Sequence, residues 1–161
     1  MRIGVVGDTH NNLKSVRRIV EIFEQAKVDR VVRTGDITQA KVLDIFGSLK
    51  APVYGVWGNN DLEQESLQSA ARNHAMQIVE GPLELIWHGR KITVVHDPRD
   101  LSECLGETPA LALHGHTHLF RFEQFDGTLI FNPGECAGML PGYNRVGLVD
   151  LETLHCEVQY F

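Results

Sequence analysis

Arg2-Ile3-Gly4-Val5-Val6-Gly7-Asp8-Thr9-His10 opens the chain with a short, β-branched run that a glycine stops and metal-competent side chains follow. Such a run predicts a buried strand over Arg2–Val6. The same order returns twice. Arg30–Arg33 predicts a second strand closed by Thr34-Gly35-Asp36, and Pro52–Trp57 a third, closed by Gly58-Asn59. Helical patterns lie between them. Leu13, Val16, Ile19, Val20 and Phe23 recur at helical spacing, with Lys14, Arg17, Arg18, Glu21 and Glu24 opposite. Val42, Leu43, Ile45, Phe46 and Leu49 mark a second helix, and Asp61–Ala75, rich in Glu, Gln and Ala, a third.

The second half is richer in strands. Leu83–Trp87 and Lys91–Val95 read as a hairpin around His88-Gly89-Arg90, and Leu111–Leu113 leads into His114-Gly115-His116-Thr117-His118. Leu119–Phe125 and Thr128–Phe131 flank Asp126-Gly127, a strong hairpin-turn signal. Arg145–Asp150 and Glu157–Phe161 supply two more strands. A βαβα half followed by a strand-rich half predicts an α/β sandwich, with two packed sheets and helices outside.

With 161 residues and no repeat or linker-like stretch, one domain over residues 1–161 is expected. A net charge of -6 argues against a general nucleic-acid binder, which needs a basic face. It leaves room for a small phosphate ester, because bound cations can supply local positive charge. No stretch approaches the roughly 18 apolar residues of a membrane span, and the apolar N-terminal run is too short for a signal peptide. Cys104, Cys136 and Cys156 form no Cys-x-x-Cys pair and read as buried reduced thiols in a cytoplasmic protein.

The candidate metal ligands share one structural position. Asp8, Asp36 and Asn59 each follow a predicted strand, His96 ends another, and His116 and His118 follow a fifth. In α/β folds ligands bind beyond the carboxyl ends of strands. Each fragment alone has an ordinary explanation, such as a cap, a turn or a hydrogen-bonded histidine. Together with His10 they make seven donors. That exceeds one tetrahedral site and includes no thiolate, so two ions are expected. Imidazole with carboxylate suits Mn, Fe, Zn, Co or Ni without choosing among them; manganese is the expected ion.

Gly7-Asp8-Thr9-His10, Gly35-Asp36, Gly58-Asn59-Asn60-Asp61 and Gly115-His116-Thr117-His118 resemble the ordered motifs of calcineurin-like metallophosphoesterases. Asn132-Pro133-Gly134 and the short length resemble the small bacterial and archaeal phosphodiesterase branch. The resemblance implies a four-layer α-β-β-α sandwich and a phosphodiesterase or phosphatase that uses hydroxide activated by a binuclear centre. It implies that Asp8, His10, Asp36 and His118 hold one divalent ion, and Asp36, Asn59, His96 and His116 the other. Self-association is left open. The alternative is a protein-binding scaffold of the same fold, as in the eukaryotic retromer subunit; such scaffolds usually lose ligands, and here all seven positions are competent.

Two positions depart from the family pattern. Asn60 stands where many relatives carry a histidine that protonates the leaving group, and an amide is no general acid. A contact to substrate or leaving group is the expectation for Asn60. His114 is either a substitute acid or a core residue at a strand end. Asp97 follows His96 where relatives often have glycine; it either orients a ligand imidazole or makes the turn before Pro98.

Overall fold

The computed structural model describes residues 1–104 and 109–161. Its elements are β1 (Arg2–Val6), α1 (Leu13–Ala26), β2 (Arg30–Arg33), α2 (Ala40–Phe46), β3 (Val53–Val56), α3 (Gln64–Asn73) and β4 (Gln77–Val79). There follow β5 (Leu83–Trp87), β6 (Arg90–Val94), a 3-10 turn (Pro98–Asp100), α4 (Leu101–Cys104), β7 (Leu111–Leu113), β8 (Arg121–Phe125), β9 (Thr128–Asn132), β10 (Arg145–Asp150) and β11 (His155–Tyr160).

The strands form two mixed sheets, ordered β11-β10-β1-β2-β3-β4 and β5-β6-β7-β9-β8. β1 to β4 run parallel, joined by helices, while β10 and β11 extend that sheet antiparallel. In the second sheet β6, β7 and β9 are parallel and the outer strands antiparallel.

Side-chain alternation along the strands builds the layers. Val6, Val31 and Val53 face the helices and pack with Val16, Ile19, Phe23, Leu43, Phe46 and Leu67. Ile3, Val5, Val32 and Val56 face the other sheet and meet Ile92, Val94, Leu111, Leu113 and Phe131. The sheets touch closely where Phe131 of β9 lies over Gly147 of β10: any Cβ there would stand 2.4 Å from the ring. On the far face Leu101 of α4 covers Val95, Ala112 and Ile130. Helices therefore flank both sheets, as the α-β-β-α arrangement requires.

Several details differ from the sequence expectation, among them β8, which begins at Arg121 rather than Leu119, and β11, which spans His155–Tyr160 rather than Glu157–Phe161. β4, three residues with a half-exposed pattern, is too short for a periodicity signal and exists by pairing with β3. α4 and the turn before it were also unmarked, being seven residues shaped by Pro98 and the Asp97 cap. α3 starts at Gln64 rather than Asp61 because the Asp61 carboxylate is engaged with two loops. The first hairpin turn is His88-Gly89 alone, both at positive φ (51° and 70°), so Arg90 joins β6 opposite Trp87.

Candidate metal centre

Parallel pairing of β1 with β2, β2 with β3, and β6 with β7 sets the carboxyl ends of five strands on one rim. Asp8, Asp36 and Asn59 follow β1, β2 and β3; His96 follows β6; His116 and His118 follow β7. Asp8, Asp36 and His96 are buried, with ligand-type atoms within 4.8 Å of one another.

Asp36 stands at the middle. Its Oδ2 is 3.7 Å from His10 Nε2, and its Oδ1 is 3.5 Å from His96 Nε2. On the first side, His10 Nε2 and His118 Nε2 lie 3.4 Å apart, and His118 Nε2 is 3.9 Å from Asp8 Oδ1. On the second, Asn59 Oδ1 is 2.8 Å from His96 Nε2 and 3.0 Å from His116 Nδ1. The structure brings all seven sequence-predicted side chains together, in two groups that share Asp36.

The nitrogen of each imidazole that points away from the rim assigns its tautomer. His96 Nδ1 donates to the Thr34 carbonyl at 2.7 Å, and His118 Nδ1 donates to Glu135 Oε2 at 2.6 Å. Both rings then present an Nε2 lone pair inward. At His96 that lone pair meets Asn59 Oδ1, so two acceptors face each other at 2.8 Å. A cation among them turns this repulsion into coordination, and the imidazole and carboxylate donors suit divalent transition metals. Burial pushes the Asp8 carboxyl up, against the pull of His118 and His96 toward the charged form. A nearby cation favours that charged form too.

The backbone at these positions is strained. Asp8, His10, Asp36, His116 and His118 all have positive φ, from 44° to 68°. Each such residue costs on the order of 1–3 kcal/mol and persists only when its surroundings impose it. Here they do. His116 N–H donates to both oxygens of Asp8 at 2.9 and 3.1 Å, and His10 N–H donates to the Asp36 carbonyl at 2.9 Å. Gly58 lies so close beneath Asp36 that a Cβ would stand 2.3 Å from its amide nitrogen and from Oδ1. Only glycine fits there.

Several supporting residues went unrecognised in the sequence. Asp61 accepts from the N–H groups of Ile37, Thr38 and Gly58 at 2.6–2.7 Å, tying the Asp36 loop to the Asn59 loop. Glu135, 2% exposed, holds His118 through one oxygen and accepts from Met139 N–H through the other. Arg33 is fully buried behind the site: Nη2 donates to Thr9 Oγ1 at 2.8 Å, and the guanidinium lies 4.4 Å over the Phe46 ring. Asn132 donates to the Gly115 carbonyl and accepts from Gly134 N–H, bracing the histidine loop. Asp61 and Asn132 belong to quoted motifs; Glu135 and Arg33 carried no local signal.

The ambiguous positions resolve geometrically. Asn60 donates to Asp36 twice, from Nδ2 to Oδ2 at 2.8 Å and from the backbone to Oδ1 at 2.9 Å, so its amide NH2 is turned to the shared carboxylate. His114 is 1% exposed, and burial lowers its proton affinity. It is a core residue. Asp97 caps the turn by accepting from Arg99 N–H at 2.9 Å, and its Oδ2 is 3.7 Å from His116 Nε2, beyond hydrogen-bond reach. The Arg99 guanidinium keeps the Asp97 carboxyl well below the usual carboxylate range. Of the three cysteines expected to be buried, only Cys136 is, its thiol pushed up to about 12 by burial; Cys104 and Cys156 are half-buried, near the surface ends of their elements.

Comparison with known proteins identifies the family. The family model of the calcineurin-like phosphoesterase superfamily domain matches residues 1–154. The chain belongs to this superfamily. It is similar to phosphodiesterase MJ0936 of Methanocaldococcus jannaschii, 31% identical over 156 residues that cover 94% of each chain. A solved archaeal phosphodiesterase superposes with a TM-score of 0.92 at 29% identity, covering 100% of both chains. Vps29 from Entamoeba histolytica shares the fold, with a TM-score of 0.69 at 19% identity over 100% of this chain and 99% of that one.

In this phosphoesterase-family chain, a cavity of about 500 Å³ opens beside the second group, lined by Trp57, Asn59, His96, Asp97, Arg99 and His116. A larger surface hollow of about 690 Å³ runs along Leu62–Ser66 and contains none of the seven side chains.

Proposed function

We propose that this chain is a metal-dependent phosphodiesterase acting on small phosphate esters, with a binuclear centre held by Asp8, His10, Asp36, Asn59, His96, His116 and His118. The carrying observation is Asp36, whose two carboxylate oxygens face histidines of opposite groups, Oδ2 toward His10 and Oδ1 toward His96. Asp8, His10 and His118 complete one ligand set around it; Asn59, His96 and His116 complete the other.

When bound, two divalent cations supply a deprotonated water near neutral pH and neutralise charge that develops on the phosphoryl oxygens. The chain's own residues do the rest. Glu135 and the Thr34 carbonyl fix the His118 and His96 rings with lone pairs inward. Asn60 holds the shared carboxylate through both hydrogen bonds. The cavity lined by Trp57, Asp97 and Arg99 receives the ester substituent beside the second ligand set. Manganese is the proposed ion. The protein is proposed to act as one domain in the cytoplasm; among the described residues no helix is long and apolar enough to cross a membrane.

The test is hydrolysis of bis(p-nitrophenyl) phosphate after loading with Mn²⁺, Zn²⁺, Co²⁺ or Ni²⁺. Turnover is expected with at least one ion and is abolished by a chelator. His96→Ala is expected to remove most of it while far-ultraviolet circular dichroism is unchanged. Full metal loading without hydrolysis of any activated mono- or diester overturns the enzyme and favours the scaffold reading, which the Vps29 fold likeness represents.

A further inference from the structure

β8 is an edge strand whose sequence is complementary to itself. It pairs with β9 alone among the described residues, so every second N–H and C=O along its outer side is open to another strand. Arg121 is partly buried, and the other four residues of β8 are exposed.

Each face has its own character. Phe122 is opposite Phe131 of the inter-sheet core, and its side chain points to the same side, toward the other sheet. Phe120 packs edge-on against the same Phe131 ring, and Arg145 lies between Phe120 and Tyr160 of β11, 5.0 and 5.6 Å from their rings. The mouth of the sandwich between β8 and β11 is thus apolar and open: Phe120, Phe122 and Tyr160 are 46%, 51% and 56% exposed. On the other face, Arg121 and Glu123 pair with each other within the strand, followed by exposed Phe125.

A two-fold axis between antiparallel copies of β8 must pass through one residue and its own symmetry mate. Centred on Arg121 or Glu123, it sets like charges directly opposite each other, which is unfavourable. Centred on Gln124, it sets Glu123 against the partner's Phe125. Centred on Phe122, it places Arg121 opposite the partner's Glu123, and the reverse by symmetry. That register also joins the two Phe122 rings and brings Phe125 toward the Leu119 end of the partner strand. Of these registers, only the last matches charge with opposite charge and apolar with apolar.

We propose that β8 is the interface of a symmetric dimer of this chain, paired antiparallel about Phe122 with Arg121–Glu123 pairs on either side of the axis. The two five-stranded sheets then run on as one ten-stranded sheet, and the aromatic mouths of the two sandwiches adjoin. The exposed aromatic rings add apolar area that a five-residue strand pair alone lacks.

The charge order supplies its own test, read by sedimentation equilibrium on the full chain. Wild type is expected at twice the 18.0 kDa chain mass at micromolar concentration. Arg121→Glu and Glu123→Arg each put like charges opposite on both sides of the axis, and each is expected to weaken dimerisation by about tenfold or more. Mixing the two single variants restores complementarity between unlike chains, so a heterodimer tighter than either variant's homodimer is expected. The double variant Arg121→Glu/Glu123→Arg should recover the homodimer. Arg121 and Glu123 are 35% and 48% exposed and lie outside the metal centre, and unchanged circular dichroism confirms that the variants fold. A wild type that stays monomeric up to about 1 mM overturns the proposal, leaving the edge to a strand of another protein. Single variants that dimerise as tightly as wild type, or a mixture that forms no heterodimer, also overturn it.

Discussion

Glu135 shows how a residue with no motif of its own shapes the centre. Its carboxylate fixes the His118 ring, and such partners typically affect metal affinity by about 10–100-fold. Glu135→Ala is therefore expected to weaken one of two Mn²⁺ binding events by that factor, with Glu135→Gln in between, in a calorimetric titration. Equal weakening of both events would contradict its placement at His118. Asn60 makes a different prediction. Its NH2 is directed to Asp36 and cannot protonate an alkoxide, so the leaving group's own pKa should govern the rate. A steep dependence across a series of substituted phenyl esters is expected for wild type. His114→Ala is expected to keep that slope even if the rate falls, because His114 is buried in the core. A shallow wild-type slope would mean that a proton donor acts after all.

At the scale of elements, five strands were legible at the bounds read for them: Arg2–Val6, Arg30–Arg33, Leu83–Trp87, Leu111–Leu113 and Arg145–Asp150. Leu83–Trp87 alternates buried with exposed residues, whereas Leu111–Leu113 is buried throughout. β4 and α4 were not legible, because strand pairing creates one and packing onto Val95 and Ala112 the other. The rim itself was legible because every ligand segment follows a strand. Its bracing was not, since Asp61 looks like a helix residue until the Ile37, Thr38 and Gly58 donors are seen around it. Removing that carboxylate leaves three donors without their acceptor, at about 1–3 kcal/mol for each buried one. Only the Ile37 bond is fully buried, so Asp61→Ala is expected to lose about 1–3 kcal/mol or somewhat more in urea unfolding and to weaken metal binding. A loss below about 1 kcal/mol would show that the loops hold their strained conformations without it.

Across the whole molecule, two sheets meet so that strand ends from both contribute to one centre. The first sheet supplies Asp8, His10, Asp36 and Asn59, and the second supplies His96, His116 and His118. Composition and spacing could not show this meeting, because nothing local in either half states how the halves face each other. The family resemblance supplied that step, and the contact of Phe131 with Gly147 is part of its physical basis. The net charge of -6 gives the protein no general attraction for a phosphate ester, and cations held at this seam would supply a local one. The central claim is that two such cations share Asp36. Elemental analysis of the chain reconstituted with excess Mn²⁺ and freed of unbound metal tests it most directly, with wild type and Asp36→Asn side by side. The account predicts two ions per chain for wild type and a loss at both sites in the variant; one ion per chain at saturation, or two retained by Asp36→Asn, would contradict it.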